Sequence, residues 1–201
     1  CWPVIYACTD WLCQAQDHSA SADGGVARDY SLVKGWATSY PETTGYIIPT
    51  VIELAQRLGR DDLHQRARRM LDWCVEIQFH DGGFQGGRID STPCGPVTFN
   101  TGQILRGLAA GAAAYGEDRY HRSMLAAARW LRDSLDADGC WRRFPTPFAE
   151  PGEKAYETHV AWGLFEAERV APGQGFAEAG LRHVAWAPGQ QQPNGWFAAN
   201  C

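Results

Sequence analysis

A 57-residue period dominates this sequence. Thr44, Thr101 and Thr158 fall 57 residues apart, and Gly59, Gly116 and Gly173 keep the same interval. Trp73, Trp130 and Trp186 step by 57 and 56. Eight residues after each of these tryptophans comes an Asx-Gly pair: Asp81-Gly82, Asp138-Gly139 and Asn194-Gly195. Trp11 leads to Asp23-Gly24 with four extra residues in between. Independent markers in one register define an internal repeat. Repeats of this length build arrays in which each unit buries its apolar face only against its neighbours.

Each unit reads as two helices. The run from Thr101, TGQILRGLAAGAAAYG, is rich in Ala and Gly and predicts a helix that packs closely on more than one side. After Gly116-Glu117-Asp118, apolar Tyr120, Met124, Ala127, Ala128, Leu131 and Leu135 recur at helical spacing. Arg119, Arg122, Arg129 and Arg132 take the other faces, the pattern of a helix wetted on one side. The preceding unit sets Leu63, Ala67, Met70, Leu71 and Cys74 against Arg66, Arg68 and Arg69 in the same way. The chain is therefore expected to be a single all-α segment with units at 1–43 (partial), 44–100, 101–157 and 158–201. That makes three hairpins plus a leading helix headed by Trp11. The short inner-to-outer turn carries the repeating glycine, suited to a left-handed helix stop. The outer-to-inner connection is about 20 residues long and holds the Asx-Gly turn. Long structured loops are where binding and catalysis concentrate, which points to one loop-rich face beside the inner-helix N-termini.

Charge excludes one class of partner. The net charge is -5, and the 18 Lys and Arg residues are scattered rather than gathered into the basic stripe that a phosphate backbone needs. Nucleic acid is not an expected partner. No apolar run approaches the ~18 residues of a membrane helix. The seven cysteines, at 1, 8, 13, 74, 94, 140 and 201, are odd in number and irregular in spacing. They read as buried free thiols of a reducing compartment. With no signal sequence, a cytoplasmic setting is the expectation. Nine Trp serve two readings, core volume in the repeat and flat faces for sugar rings.

The segments WCVEIQFHDGGF (73–84), WLRDSLDADGCW (130–141) and WAPGQQQPNGW (186–196) resemble the repeat signature of the α/α-toroid superfamilies. These are the six-hairpin glycosidase-like enzymes and the terpenoid-cyclase and prenyltransferase toroids, including the Gln-Trp type motif of squalene cyclases. SYPETTGYIIPT (39–50) and AYETHVAWGLFEAE (155–168) look closer to the carbohydrate side, being similar to the C-terminal helical domain of glucuronyl epimerases. The resemblance implies an α/α toroid acting on an oligosaccharide or polysaccharide. A closed ring of six such hairpins needs roughly 340 residues, so three hairpins imply an incomplete ring. The rest would be supplied by a missing remainder of a larger chain or by a second copy in a homodimer; otherwise the arc stays open.

The repeat also separates scaffold from site. A residue recurring at one repeat position is scaffold, whereas equivalent positions that diverge are free to carry function. By that rule Asp81, Asp138 and Asn194 belong to Asx-Gly turns, and Thr44, Thr101 and Thr158 are N-caps. The threonines' flanks diverge: Glu42, Phe99 and Tyr156 two before, Thr43, Asn100 and Glu157 one before, Gly45, Gly102 and His159 one after, Tyr46, Gln103 and Val160 two after. Glu42, Tyr156, Glu157 and His159 are the candidates for acid-base chemistry. Two carboxyls can divide donor and acceptor roles when their environments separate their pKa values. Glycoside cleavage uses such a pair. A uronate lyase or epimerase instead removes a proton α to a carboxylate, which a cation such as Arg106, Arg142 or Arg143 would neutralise. Trp36, Tyr40, Tyr46, Phe84, Asn100, Gln103, Trp141, Arg142 and Trp196 are the candidate substrate-binding residues, the aromatic ones as stacking surfaces.

No metal or cofactor is expected. The six histidines lack H-x-x-x-H or H-E-x-x-H spacing, and no Gly-rich phosphate loop, G-x-S-x-G elbow or Asp-rich diphosphate motif occurs. Three readings follow: a carbohydrate-active enzyme of hydrolase, lyase or epimerase type, a non-catalytic glycan-binding or structural module, and an isoprenoid-type toroid with Trp lining an apolar cavity.

Overall fold

The computed structural model describes residues 2–197. Helix α1 (Trp2–Asp17) leads, and three hairpins follow: α2 (Pro41–Leu58) with α3 (Asp61–Ile77), α4 (Thr98–Tyr115) with α5 (Asp118–Ser134), and α6 (Thr158–Val170) with α7 (Phe176–Trp186). A small antiparallel ribbon, β1 (Tyr30–Ser31) and β2 (Gly35–Trp36), interrupts the α1–α2 connection. One 3-10 turn, Ala155–Glu157, runs straight into α6, and another, Ala187–Gln190, follows α7.

Helices α2, α4 and α6 form the inner layer, each packed along the next, with α3, α5 and α7 behind them. Glycine makes the inner seams close. A Cβ on Gly45 would lie 2.5 Å from Ile104 Cα, one on Gly102 would lie 2.8 Å from Val160 Cα, and one on Gly163 would lie 2.5 Å from the Gly102 carbonyl. The Ala and Gly richness of the inner helices is thus a backbone-to-backbone contact repeated from unit to unit. Gly45 and Gly102 are packing residues, not divergent site positions. The core is continuous across the layers, with Ile48, Leu63, Leu71, Ile104, Leu105, Leu108, Leu131 and Leu164 fully buried.

The threonines do a different job from the expected one. Tyr40 and Val97 precede α2 and α4 as cap residues, so Thr44 and Thr101 lie inside the first turn. Thr44 Oγ1 accepts from Val26 N and Thr101 Oγ1 accepts from Phe84 N, each at 2.9 Å. They pin the incoming loop to the inner helix rather than cap it. Thr158 likewise opens α6 one residue after Glu157. Gly59 and Gly116 close α2 and α4 with φ near +65°, as the glycine pattern predicts, whereas α6 is closed by Ala171.

All four Asx turns form. Gly25, Gly83, Cys140 and Trp196 donate their N–H groups to Asp23, Asp81, Asp138 and Asn194 at 3.0–3.2 Å. Each repeated tryptophan covers the turn of the unit before it. Trp73 sits over Gly24-Gly25, Trp130 over Gly83 and Trp186 over Gly139. Gln16 and Gln78, each five residues after its Trp, donate to the turn carbonyls of Gly24 and Gly82 and to the next outer helix at Arg66 and Ser123. Trp11 lies in the second half of the first outer helix, not at its head as expected, and is 50% exposed, its ring against Tyr30 and Trp36 instead.

The thiols divide. Cys74 and Cys140 are buried, but Cys8 and Cys94 are exposed and Cys13 is half-buried, all free. The expectation of uniformly buried thiols fails because α1 presents Cys8 on an uncovered apolar face with Pro3, Val4, Ala7, Trp11 and Leu12. Cys1 and Cys201 lie outside the described residues. No described helix is long and apolar enough to cross a membrane.

Candidate functional site

The three inner helices begin at one rim, where the connections arrive, and this is where the divergent positions meet. Glu42 sits in the first turn of α2, and its Oε2 accepts from Asn100 Nδ2 on α4 at 3.4 Å. The Tyr40 hydroxyl also hydrogen-bonds to Glu42. Burial raises the Glu42 pKa, and the Tyr40 donor counteracts it by favouring the charged form. Burial likewise pushes the Tyr40 phenol up, aided by the Glu42 charge beside it.

Glu157 lies at the start of α6 and is only 4% exposed. Its Oε2 has no hydrogen-bond partner among the described residues. Burial pushes its pKa up to about 8, against a smaller opposing effect from the Lys154 charge. A carboxyl so placed is protonated at neutral pH, which removes the cost of a buried charge. Tyr156 lies beside it, half-buried, its phenol raised by burial first and then by the charges of Glu157 and Glu42. Both carboxyls therefore act on one phenol. Phe99 on α4 completes the row, edge-on to Tyr156 at 5.2 Å and tilted against the exposed His159 at 6.3 Å.

Below the rim, the open face of the inner layer is polar and aromatic. It carries Tyr46 and Pro49 from α2, Arg106 and Ala110 from α4, and Trp162 and Glu166 from α6, with a hollow of about 150 Å³ between the last two helices and Pro49. The Arg106 guanidinium stacks on Trp162 at 3.6 Å and donates to Gln103 Oε1 at 3.1 Å.

The rim and open face thus gather Glu42, Tyr156, Glu157, His159, Tyr40, Tyr46, Asn100 and Gln103. Five expected binding residues lie elsewhere. Phe84 is fully buried under the Thr101 clamp, and Trp141 is 5% exposed with its indole donating to Leu131 O at 2.9 Å. Both are loop anchors without a free face for a ligand. Arg142 is held by Asp136, Asp138 and Glu153, so its charge is already neutralised. Trp36 packs on α1 with Trp11 at 4.8 Å, and Trp196 is exposed on the last turn. Sequence reasoning missed Trp162 and Lys154. Trp162 stands at the repeat position held by Ile48 and Leu105, so a break in an aliphatic series was its signal. Among the described residues, no cluster of three or more His, Cys, Asp or Glu is placed to hold a metal ion.

No family model and no curated protein sequence matches the chain. Solved structures do. The chain is similar to an unsaturated glucuronyl hydrolase specific for heparin, with TM-score 0.69 and 14% identity over 92% of this chain and 47% of that one. It is similar to a possible GH105 family member from Salmonella enterica serovar Paratyphi A, with TM-score 0.71 and 14% identity over 98% of this chain and 56% of the other. A polysaccharide lyase matches at TM-score 0.64 and 14% identity, over 81% of this chain and 51% of that chain. The fold is the α/α toroid. The toroid arc described here spans about half the length of these structures. Its inner layer is the ring's inner wall, and the rim of Glu42, Tyr156 and Glu157 is the wall's loop-bearing edge.

Proposed function

We propose that the chain is part of a carbohydrate-active enzyme that performs acid-base chemistry on a polysaccharide at the rim of the toroid. The observation that carries this reading is the buried Glu157 carboxyl, its Oε2 without a hydrogen-bond partner among the described residues and its pKa pushed up to about 8, at the same rim as Glu42. Glu157 is the proton donor, neutral at working pH. Glu42, held toward its charged form by the Tyr40 donor and accepting from Asn100, is the base. Tyr156, whose phenol feels the charges of both carboxyls, relays or holds a proton. Separated environments for two titratable groups are what assign an acid and a base.

The polar open wall supports a sugar ligand over an isoprenoid one, because Arg106, Glu166 and Gln103 have no use in a cavity for hydrocarbon. The similar structures include one named as a glucuronyl hydrolase and one as a polysaccharide lyase, which agrees with this class.

Incubation with acidic and neutral polysaccharides in D2O tests the proposal and sorts the reaction. New reducing ends alone indicate hydrolysis, a new C4–C5 double bond indicates lyase action, and deuterium at C5 without cleavage indicates epimerisation. Glu157→Gln and Glu42→Gln are each expected to lower turnover ~10²–10⁴-fold with binding retained, the usual contribution of general acid-base groups. Turnover unchanged in both variants would refute the assignment.

A further inference from the structure

The half-buried Arg106 has an unusual position on the wall. Among the described residues it forms no ion pair with a carboxylate, while the other arginines without one, Arg122, Arg129 and Arg182, are exposed. Glu166, the acid nearest to it along the hollow, is bound by Arg169 at 2.6 Å and by the Trp162 indole N–H at 3.2 Å. Arg106 is instead fixed by neutral groups, with one face on Trp162 and one N–H on Gln103 Oε1. Gln103 is 3% exposed, and its Nε2 has no hydrogen-bond partner among the described residues. A half-buried guanidinium that makes no direct ion pair and is held by neutral groups beside a hollow is an arrangement that an anion would stabilise.

We propose that this part of the wall is a second subsite, separate from the acid rim, that binds an anionic group on a neighbouring unit of a saccharide chain. The proposal rests on the carbohydrate reading above and adds to it that the ligand is an acidic oligomer. Arg106 lies six residues beyond Asn100 on α4, about 9 Å down the helix at 1.5 Å per residue. One sugar at the rim does not span that drop, so the chain runs down the wall along α4. Arg106 meets the charged group, while Pro49, Ala110 and Trp162 line the hollow around it. The anion is a carboxylate or a sulfate ester, since a guanidinium fork suits both.

Calorimetric titration with three tetrasaccharides tests this: one from polygalacturonate (carboxylate), one from heparin (sulfate and carboxylate) and one from cellulose (neutral). The matching disaccharides supply a length control. Arg106→Met is expected to weaken an acidic tetrasaccharide at least tenfold more than the neutral one and more than the acidic disaccharide. Arg106→Lys, which keeps the charge and loses the fork, should fall between, and thermal melting confirms that both variants fold. The polygalacturonate and heparin arms show which anion is preferred. Equal weakening for neutral and acidic chains, no effect in either variant, or no acidic binding by the parent protein overturns the subsite. Repeating the titration in Glu157→Gln separates the two proposals: selective acidic binding without any turnover in the parent refutes the acid-base reading and leaves the subsite standing.

Discussion

Asn100 on α4 donates its side-chain amide to Glu42 on α2 across 3.4 Å, so the carboxylate at the start of one inner helix is oriented by the next. Together with the Tyr40 hydroxyl, it supplies donors to the charged form of a group that burial would otherwise neutralise. Tyr40→Phe and Asn100→Leu should each move the acidic limb of the pH–rate profile upward, and the double variant further. A limb that stays in place in both variants would show that Glu42 is not the base.

Glu157 makes stability depend on pH. Its folded-state pKa is raised to about 8 from an ordinary 4.5, so the folded protein holds a proton that the unfolded chain has released. Its stabilising contribution is complete below 4.5, declines between 4.5 and 8, and is lost as pH rises through 8. Denaturant unfolding across this window should show the parent protein losing stability toward alkaline pH, with Glu157→Gln flatter over the same range.

His183 acts at the other end of the scale. Its ring is buried between Trp141 and Trp186, at 4.6 and 5.2 Å, and Nδ1 is 2.9 Å from Gly139 O. Burial lowers its pKa below the ordinary 6.5, so the unfolded chain takes up the proton first. Stability should therefore fall as pH drops below about 6.5. His183→Phe keeps a ring in the sandwich and is expected to remove the acid-side loss in thermal melts.

Asp81 joins two units. Its Oδ1 accepts from Gly83 N at 3.0 Å and its Oδ2 accepts from the Trp130 indole at 3.2 Å. Asp81→Ala leaves a largely buried indole N–H unpaired and should cost about 1–3 kcal/mol in unfolding free energy. Trp130→Phe in the Asp81→Ala background should add less than it does alone, which a double-mutant cycle measures.

The inner seam predicts a sharp contrast between glycines. Gly163→Ala and Gly107→Ala drive a methyl into the carbonyls of Gly102 and Gly45, whereas a Cβ on Gly95 meets nothing within 4 Å. The first two should lose about 1–3 kcal/mol and Gly95→Ala close to none, by thermal unfolding.

The helical hairpins, their order and the Asx turns were legible because each is a local pattern repeated in register. What escaped was what the repeats do to one another. The threonines looked like caps, since a polar residue at a helix start is the local signal. Their hydroxyls are instead spent on Val26 and Phe84, residues 17 to 18 positions earlier. Phe84 and Trp141 looked like ligand platforms because an aromatic in a loop is ambiguous until its neighbours are known, and both proved to be buried anchors. The divergence rule did collect Glu42, Asn100, Tyr156, Glu157 and His159 at one rim. It could not show that Glu157 is buried without a partner for Oε2 among the described residues, which depends on how the units pack around the start of α6.

The most direct test is the titration of the Glu157 carboxyl itself, followed by carbon NMR in protein labelled at the glutamate side-chain carboxyl and assigned by loss of the signal in Glu157→Gln. The account predicts a midpoint near 8, well above the other glutamates. A midpoint near 4.5 would mean that Glu157 is ionised at neutral pH, and it would contradict its role as the proton donor of the rim.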